Sequence, residues 1–173
     1  MITDQQLAGM FSSQTDNWET PIEFFKTLDA EFHFDLDPCA DDQNHKCPTY
    51  FTREQNGLSK NWGGGYRVFC NPPYGREIGK WAQKSYEESR KPGTLVVMLV
   101  PARTDTRWFH DYVYGKAEVR FLRGRIKFGD SKNSAPFPSM VVIYGGTNGT
   151  GILHSKSGPG ETGPDAGAAP DSV

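Results

Sequence analysis

The sequence has little cysteine and no long apolar run. Its 173 residues include three cysteines, Cys39, Cys47 and Cys70, and so small and odd a number without scaffold-like spacing argues against a disulfide framework. The longest purely apolar stretch, residues 95–100, is far too short to cross a bilayer. The N-terminus also lacks the basic start and apolar core of a secretory signal. We therefore expect a cytoplasmic protein without a membrane span.

Charge is distributed unevenly along the chain, although the formal net charge is only −2. Residues 1–75 carry 5 Lys and Arg against 11 Asp and Glu, whereas residues 76–132 carry 13 against 7. A basic middle part would face a polyanion, while the acidic first part would bind a cationic or hydroxyl-bearing molecule. The alternative is an unevenly charged surface that contacts only solvent.

Composition divides the chain into three parts. Residues 1–16 are polar with weak periodicity and are expected to form a flexible arm. Residues 17–145 contain the apolar patterns of one folded domain, for which the length of the chain is suitable. From residue 146 to residue 173 glycine, proline, serine and alanine dominate, which is typical of a disordered tail.

Helix and strand patterns alternate within the middle part. Helices are predicted over residues 21–31, 77–90 and 105–114, and strands over residues 32–37, 66–70, 94–100, 118–122, 125–128 and 140–144. The first strand is expected to stop at Pro38, and the last two suggest a C-terminal β-hairpin. This order predicts an α/β fold with a compact, mostly parallel sheet, which binds ligands beyond the C-terminal ends of its strands.

The tetrapeptide Asn71-Pro72-Pro73-Tyr74 follows a predicted strand and cannot extend it, because two prolines prevent further pairing. The Asn71 side-chain oxygen and the Pro72 carbonyl can both accept hydrogen bonds from one planar amino group. Holding both hydrogens frees the nitrogen lone pair from the ring, so that the amine can attack an adjacent sulfonium methyl. Tyr74 is expected to stack on the base. A proline-terminated strand with an aromatic cap and no catalysis is the structural alternative.

This tetrapeptide resembles the motif of methyltransferases that act on the amino nitrogens of adenine, of cytosine and, in one branch, of protein glutamine. Over residues 17–144 the chain is similar to the phage-type DNA N-6-adenine methyltransferase (Dam-like) family. Besides residues 71–75, the similar segments are residues 17–21 (NWETP), 34–41 (FDLDPCAD), 101–106 (PARTDT), 123–125 (RGR) with 128–129 (FG), and 135–139 (APFPS). The segments follow one another in the order that the family has.

The resemblance implies a Rossmann-like methyltransferase fold and a site-specific enzyme encoded by a phage or a bacterial host. Such an enzyme transfers a methyl group from S-adenosyl-L-methionine to the N6 amino group of adenine in double-stranded DNA, without a metal, as in restriction-modification. The expected catalytic residues are Asn71, Pro72, Pro73 and Tyr74. The recognised sequence, the oligomeric state and a partner nuclease stay open.

Cofactor contacts are expected in the first two similar segments. The residues concerned are Trp18, Thr20, Pro21, Asp35, Asp37 and Pro38. Asp37 would accept hydrogen bonds from the cofactor's amino group or from loop amides, and Trp18 or Pro21 would cover its adenine. The chain departs from broader methyltransferases here, since residues 37–41 (DPCAD) replace the usual glycine-rich loop. Glu54 is the candidate for the acid that binds the ribose.

Cationic residues near the predicted strand ends are the candidate DNA contacts. They are Arg103, Arg107, Arg123, Arg125 and Lys127, with Arg120 nearby. Phosphate contacts of this kind position a duplex without reading it, and the target adenine must be flipped out to reach Asn71. A solvated surface role is the alternative for each of them. Loop residues 41–65 and 129–138 are the segments available for reading sequence.

Three other functions and two other uses of cysteine remain as alternatives. Cytosine-N4 methyltransferases use the same motif. Protein glutamine methyltransferases usually have the glycine-rich loop that is missing here. A catalytically silent DNA-binding module would result if the chain no longer bound the cofactor. Cys39 after Pro38 suggests a cysteine nucleophile, but it lies in the expected cofactor loop rather than beside the catalytic one. Cysteines and histidines here have no paired-ligand zinc spacing, so small buried thiols are expected.

Overall fold

A computed structural model describes residues 17–145 of the chain. The expected arm, residues 1–16, and the expected tail, residues 146–173, lie outside the described residues. Helices are α1 (Ile22–Phe32), α2 (Ile78–Ser89) and α3 (Arg107–Tyr112), with one 3-10 turn at Gly57–Ser59. Strands are β1 (Leu36–Ala40), β2 (Thr49–Thr52), β3 (Arg67–Cys70), β4 (Leu95–Pro101), β5 (Glu118–Phe121) and β6 (Ser139–Tyr144). None of these helices is long and apolar enough to cross a membrane.

All six strands form one sheet in the order β2-β1-β3-β4-β6-β5. The first four of these strands run parallel, and β6 runs antiparallel to both β4 and β5. The predicted α/β class with a mostly parallel sheet is therefore confirmed. Because β5 runs in the same direction as β1 to β4, the C-terminal ends of five strands and the start of β6 share one edge, which we call the ligand edge.

The apolar run that forms β4 lies at the centre of this sheet. Every residue of β4 is buried, because the strand pairs with β3 on one side and β6 on the other. A strand covered in this way needs apolar side chains on both faces, and the continuous run in the sequence supplies them. Helix α1 adds to the core through Phe25, whose ring centroid lies 5.1 Å from that of Phe69 in β3.

Strand β1 differs from its predicted bounds. It begins at Leu36 and continues through Pro38 to Ala40, whereas the sequence predicted residues 32–37. The pairing of β1 with β2 shifts register between Asp37 and Ala40, and this irregularity accommodates a proline that cannot donate a ladder hydrogen bond. The β2 strand lacks strong alternation, is only half-buried and was not predicted.

The antiparallel pair at the C-terminal end uses a different partner from the predicted hairpin. Strand β6 pairs with β5, and residues 125–128 form no strand. Residues 122–138 form a long connection that leaves β5 and enters β6, so both of its ends lie at the ligand edge. Phe128, which made this segment resemble a strand, is instead buried against other aromatic rings.

Candidate active site

Asn71 follows the last residue of β3 at the ligand edge and is held on both ends of its amide. Its Nδ2 donates to the Trp18 carbonyl at 2.5 Å and to Thr20 Oγ1 at 2.8 Å. Its Oδ1 accepts a hydrogen bond from the Tyr74 hydroxyl at 2.7 Å. The side chain is half-buried, so it is both restrained and partly open.

The hydrogen-bonding capacity of this amide leaves one position free. An asparagine amide has two hydrogens to donate and two lone pairs on its oxygen to accept with. Trp18 and Thr20 take both hydrogens, and Tyr74 takes one lone pair. The remaining lone pair of Asn71 Oδ1 can therefore accept a donor from a ligand.

Pro72 supplies a second acceptor next to the first. Pro72 is buried and Pro73 half-buried, and α2 does not begin until Ile78. Among residues 17–145 no backbone N–H donates to the Pro72 carbonyl. The free lone pair of Asn71 Oδ1 and the Pro72 carbonyl together suit a group that carries two hydrogens on one atom.

Tyr74 is placed differently from the stacking role that the sequence suggested. Its side chain is 4% exposed, and its hydroxyl lies 2.9 Å from the Leu99 carbonyl as well as 2.7 Å from Asn71 Oδ1. Its ring contacts Phe128 and Phe137 edge-on. In this arrangement Tyr74 has no free face for a base, and it contacts the site through its hydroxyl.

Residues 17–21, the N-terminal segment, cross the ligand edge and connect its loops. The Glu19 carbonyl accepts a hydrogen bond from the Gly129 amide at 2.8 Å, and the Glu19 carboxylate lies 3.5 Å from Lys46 Nζ. The half-buried Trp18 packs edge-on against Phe128 and Phe137, with ring centroids 5.5 and 5.1 Å away. The segment thus joins the loop after β1 to the long connection, directly beside Asn71.

Asp37 organises the loop after β1. Its Oδ1 accepts from the Cys39 amide at 3.1 Å and its Oδ2 from the Lys46 amide at 3.0 Å. Burial raises the pKa of this carboxyl, and the two backbone hydrogen bonds oppose that shift. Of the two partners expected for Asp37, the structure therefore shows loop amides, so that this carboxylate closes the turn over Pro38.

Asp35 does not lie at the ligand edge, and this corrects its expected place beside the cofactor. It precedes β1, and its Oδ1 accepts from the Arg67 amide at 2.8 Å at the start of β3. In parallel strands, starts and ends lie at opposite edges of the sheet. Asp35 is therefore separated from Asn71 by the length of β3 and acts in pairing β1 with β3.

Glu54 lies with other acidic residues in a surface pocket of about 350 Å³. The pocket is lined by Asp41, Asp42, Gln43, Thr52 and Glu54. Hydrogen bonds from its own backbone amide and from Thr52 lower the pKa of Glu54. Asp41 and Asp42 follow β1 and Glu54 follows β2, so the carboxylates meet at neighbouring strand ends. Sequence reasoning placed Asp41 at the end of the expected cofactor loop but did not pick out Asp42, and it could not bring Glu54 to them because β2 was not predicted.

The predicted DNA contacts divide by location. Arg123, Arg125 and Lys127 are exposed in the long connection, and Arg103 follows β4 with its Nη1 3.4 Å from the Tyr74 carbonyl. All four lie at the ligand edge. Arg107 begins α3 and is paired with Asp111 at 3.4 Å.

Arg120 differs from the other candidate DNA contacts because two carboxylates bind its guanidinium. Its guanidinium forms two hydrogen bonds with Glu31, at 2.7 and 2.8 Å, and one with Glu118 at 2.7 Å. Two acidic partners satisfy its charge within the protein.

Two basic residues next to the tetrapeptide were not picked out from the sequence. Arg76 and Lys80 line a shallow groove of about 410 Å³ between α2 and α3, together with Arg107 and Trp108. Their signal was available, because Arg76 directly follows Gly75 in the turn before α2, and Lys80 lies on the first turn of that helix.

Cys47 and Cys70 are buried and Cys39 is half-buried, in surroundings that suit small apolar side chains better than nucleophiles. Burial, reinforced by Cys70 and Asp37, raises the pKa of the Cys39 thiol well above its usual value, and burial likewise raises that of Cys47. A thiol that stays protonated is a poor nucleophile. Cys39 Sγ lies 3.6 Å from Cys70 Sγ. Within residues 17–145 no three His, Cys, Asp or Glu side chains are grouped to hold a metal ion.

Comparison with known proteins gives a consistent result. The profile of the family described as DNA N-6-adenine-methyltransferase (Dam) matches residues 9–155. A DNA N-6-adenine-methyltransferase of Haemophilus phage HP1 is 31% identical over 140 residues, which cover 76% of this chain and 80% of that protein. A protein of the same description from Escherichia phage T1 is 26% identical over 144 residues, covering 83% of this chain and 60% of the phage protein.

Proposed function

The chain belongs to the DNA N-6-adenine-methyltransferase (Dam) family, and from that premise we propose that Asn71 and Pro72 hold the amino group that is methylated. The enzyme uses S-adenosyl-L-methionine to methylate the N6 amino group of adenine in DNA, and its sheet is that of a Rossmann-like methyltransferase. The observation that carries the proposed roles is the one unused acceptor position of the Asn71 amide beside the Pro72 carbonyl.

The cofactor fits the acidic side of the ligand edge. Asp41, Asp42 and Glu54 present carboxylates in an open pocket, and carboxylates suit the ribose hydroxyls and the cationic groups of S-adenosyl-L-methionine. Asp37 and Pro38 shape that region by fixing the loop after β1, and Trp18 and Pro21 belong to the N-terminal segment, which bonds to Asn71. When bound, S-adenosyl-L-methionine supplies a methyl group activated by its sulfonium centre.

The amide and carbonyl oxygens act on the adenine amine. The amine of adenine is a weak nucleophile because its lone pair is delocalised into the ring. Asn71 Oδ1 and the Pro72 carbonyl each accept one of its two hydrogens, and this pulls the nitrogen out of conjugation and aims its lone pair. Both oxygens are fixed before the base arrives, so little reorganisation is needed during the reaction.

Double-stranded DNA approaches the ligand edge in this proposal. A paired and stacked adenine cannot reach Asn71, so the base leaves the duplex to react. Arg103, Arg107, Arg123, Arg125 and Lys127 contact phosphates and hold the duplex over the edge. The aromatic walls of Trp18 and Phe137, which are half-buried, are more accessible to the base than the buried ring of Tyr74.

We further propose that residues 17–145 constitute the catalytic domain and that the enzyme works in the cytoplasm without a metal ion. A metal-free mechanism predicts full activity in the presence of a chelator such as EDTA. Loss of activity with EDTA and its return with a divalent cation would contradict this part of the proposal.

Substitution of Asn71 tests the assigned chemistry. Asn71→Ala removes the acceptor, so we expect loss of methyl transfer to DNA while the affinity for S-adenosyl-L-methionine stays near that of the wild type. Transfer is measured with labelled cofactor, and mass analysis of digested nucleosides identifies N6-methyladenine. Methylcytosine, or label in protein, would instead support the cytosine or glutamine alternatives.

Asn61→Ala provides a matched control for this test. Asn61 is also a hydrogen-bonded asparagine, with its Oδ1 accepting from Gly63 and Lys91, but it lies away from the ligand edge. It should retain wild-type turnover. Turnover by Asn71→Ala that equals that of the Asn61 variant would refute the role of Asn71.

A further inference from the structure

We infer that Thr20 is a positioning residue for the reaction, because its hydroxyl holds the Asn71 amide in the orientation that presents oxygen to the base. This inference rests on the proposed function of Asn71. It differs from the sequence-based expectation that Thr20 contacts the cofactor, and the two roles predict different kinetics.

The orientation of an asparagine amide is not determined by its shape. Its oxygen and nitrogen are similar in size, and a half-turn about the last side-chain bond exchanges an acceptor for a donor. If Asn71 turned in this way, it would present an N–H group to the adenine amine, and two donors would face each other. The enzyme therefore needs surrounding groups that accept from Nδ2.

The N-terminal segment supplies those groups. The Trp18 carbonyl can only accept, and Thr20 Oγ1 is the second acceptor at 2.8 Å from Nδ2. Thr20 is 2% exposed, so water cannot readily replace its hydroxyl. On the other side, the Tyr74 hydroxyl is adaptable, since it can either donate to Asn71 or accept from it while donating to Leu99. A threonine hydroxyl can also donate, so the Trp18 carbonyl selects the orientation, and Thr20 Oγ1 holds the amide there by accepting its second hydrogen.

The rest of the segment fixes Thr20 in place. Pro21 follows it at the start of α1, where its carbonyl accepts from the Phe25 amide at 3.0 Å. On the preceding side, the Glu19 carbonyl accepts from Gly129. Thr20 is thus held between a helix and the long connection, as a group that orients another side chain requires.

Thr20→Val and Thr20→Ser form the decisive pair. Valine keeps the shape and removes the hydroxyl, whereas serine keeps the hydroxyl. We expect Thr20→Val to lower kcat by roughly 10- to 100-fold, since misplacement of a reacting group by about 1 Å has an effect of that order. The KM values for S-adenosyl-L-methionine and DNA should stay within about twofold, and Thr20→Ser should restore most of kcat.

Each other outcome overturns the inference. A higher KM for S-adenosyl-L-methionine with unchanged kcat would assign the hydroxyl to cofactor binding, and wild-type kcat in Thr20→Val would remove it from the reaction. An equal loss of kcat in Thr20→Val and Thr20→Ser would show that the hydroxyl is not the important group. If Thr20→Val folds poorly, Thr20→Ala removes the hydroxyl without an added methyl group. An inactive wild-type enzyme would refute the proposed function itself, which separates the two failures.

Discussion

Replacement of Tyr74 by phenylalanine separates two roles for the last residue of the tetrapeptide. Phenylalanine keeps the ring and its edge-on contacts with Phe128 and Phe137 but removes the hydroxyl. If Tyr74 acts by stacking on the base, this change has little effect. If it acts through its hydrogen bond to Asn71 Oδ1, as its burial indicates, turnover falls.

The hydroxyl hydrogen of Tyr74 determines the size of the effect. The Tyr74 hydroxyl has one hydrogen for two acceptors, Asn71 Oδ1 and the Leu99 carbonyl. The substitution therefore removes one hydrogen bond and leaves a buried acceptor unsatisfied. We expect the free energy of unfolding to fall by about 1–2 kcal/mol. Because Nδ2 of Asn71 remains held, kcat should fall by only about 10-fold, which corresponds to roughly 1.4 kcal/mol in the barrier.

The pKa of Tyr74 makes this effect independent of pH over the usual assay range. Burial, with Cys70 and Cys39 nearby, raises that pKa well above the usual value near 10. The stabilisation from a raised pKa is fully present below the unfolded value and is lost only as the pH rises through the folded value. The hydroxyl therefore keeps its proton, and the loss in kcat should be the same at every pH from about 6 to 9.

Tyr144→Phe is the matched control for this prediction. Tyr144 is 1% exposed, and its hydroxyl donates to the Tyr112 carbonyl at 2.8 Å, away from Asn71. Both variants should lose similar stability in chemical unfolding, but only Tyr74→Phe should lose kcat in a single-turnover methylation assay. Full kcat in Tyr74→Phe, together with loss of activity in Tyr74→Leu, would refute the reasoning and favour stacking.

Two further predictions concern the DNA surface and a buried carboxylate. Arg123→Ala should weaken DNA binding and reduce the slope of log binding constant against log salt concentration by about 1. Arg90 is exposed at the opposite edge, so Arg90→Ala should change neither the affinity nor the slope. An unchanged slope in Arg123→Ala would exclude Arg123 from the interface. Glu88→Gln should lower the free energy of unfolding by about 1.5–3 kcal/mol near pH 7, because Glu88 is 4% exposed and bonds to Lys84, Lys91 and the Trp62 amide. Burial alone would raise the pKa of Glu88, but these hydrogen bonds outweigh it and lower the pKa below 4.5. The difference between the two proteins in free energy of unfolding should therefore shrink as the pH falls below that value. A difference that persists in acid unfolding experiments would contradict this account.

The strands and the position of the tetrapeptide could be predicted where local chemistry determines them. The apolar run of β4 requires burial on both faces, and the prolines after Cys70 end β3 wherever the strand lies in the sheet. Strand β1 was misplaced because a proline usually ends a strand, whereas the register shift against β2 accommodates Pro38. That shift depends on the neighbouring strand and has no local signal.

The residues of the candidate site could be predicted better than the contacts between them. The resemblance placed Asn71, Thr20 and Trp18 in similar segments far apart in sequence, but only the folded chain shows that they bond to each other. Tyr74 was expected to stack because aromatic rings near bases often do, and the Leu99 carbonyl that binds its hydroxyl lies 25 residues away in sequence. Asp35 looked equivalent to Asp37 because the start of β1 was set too early.

The antiparallel insertion of β6 between β4 and β5 has a consequence for how such an enzyme can diversify. The long connection leaves one rigid strand and enters the next on the same side of the molecule. Its exposed residues 130–134 can therefore change without shifting the strands that carry the reaction, whereas Phe128, Gly129 and Phe137 contact Tyr74 or the N-terminal segment. Variation between relatives is therefore expected to concentrate in that exposed part, where an added or lost residue leaves the site contacts in place.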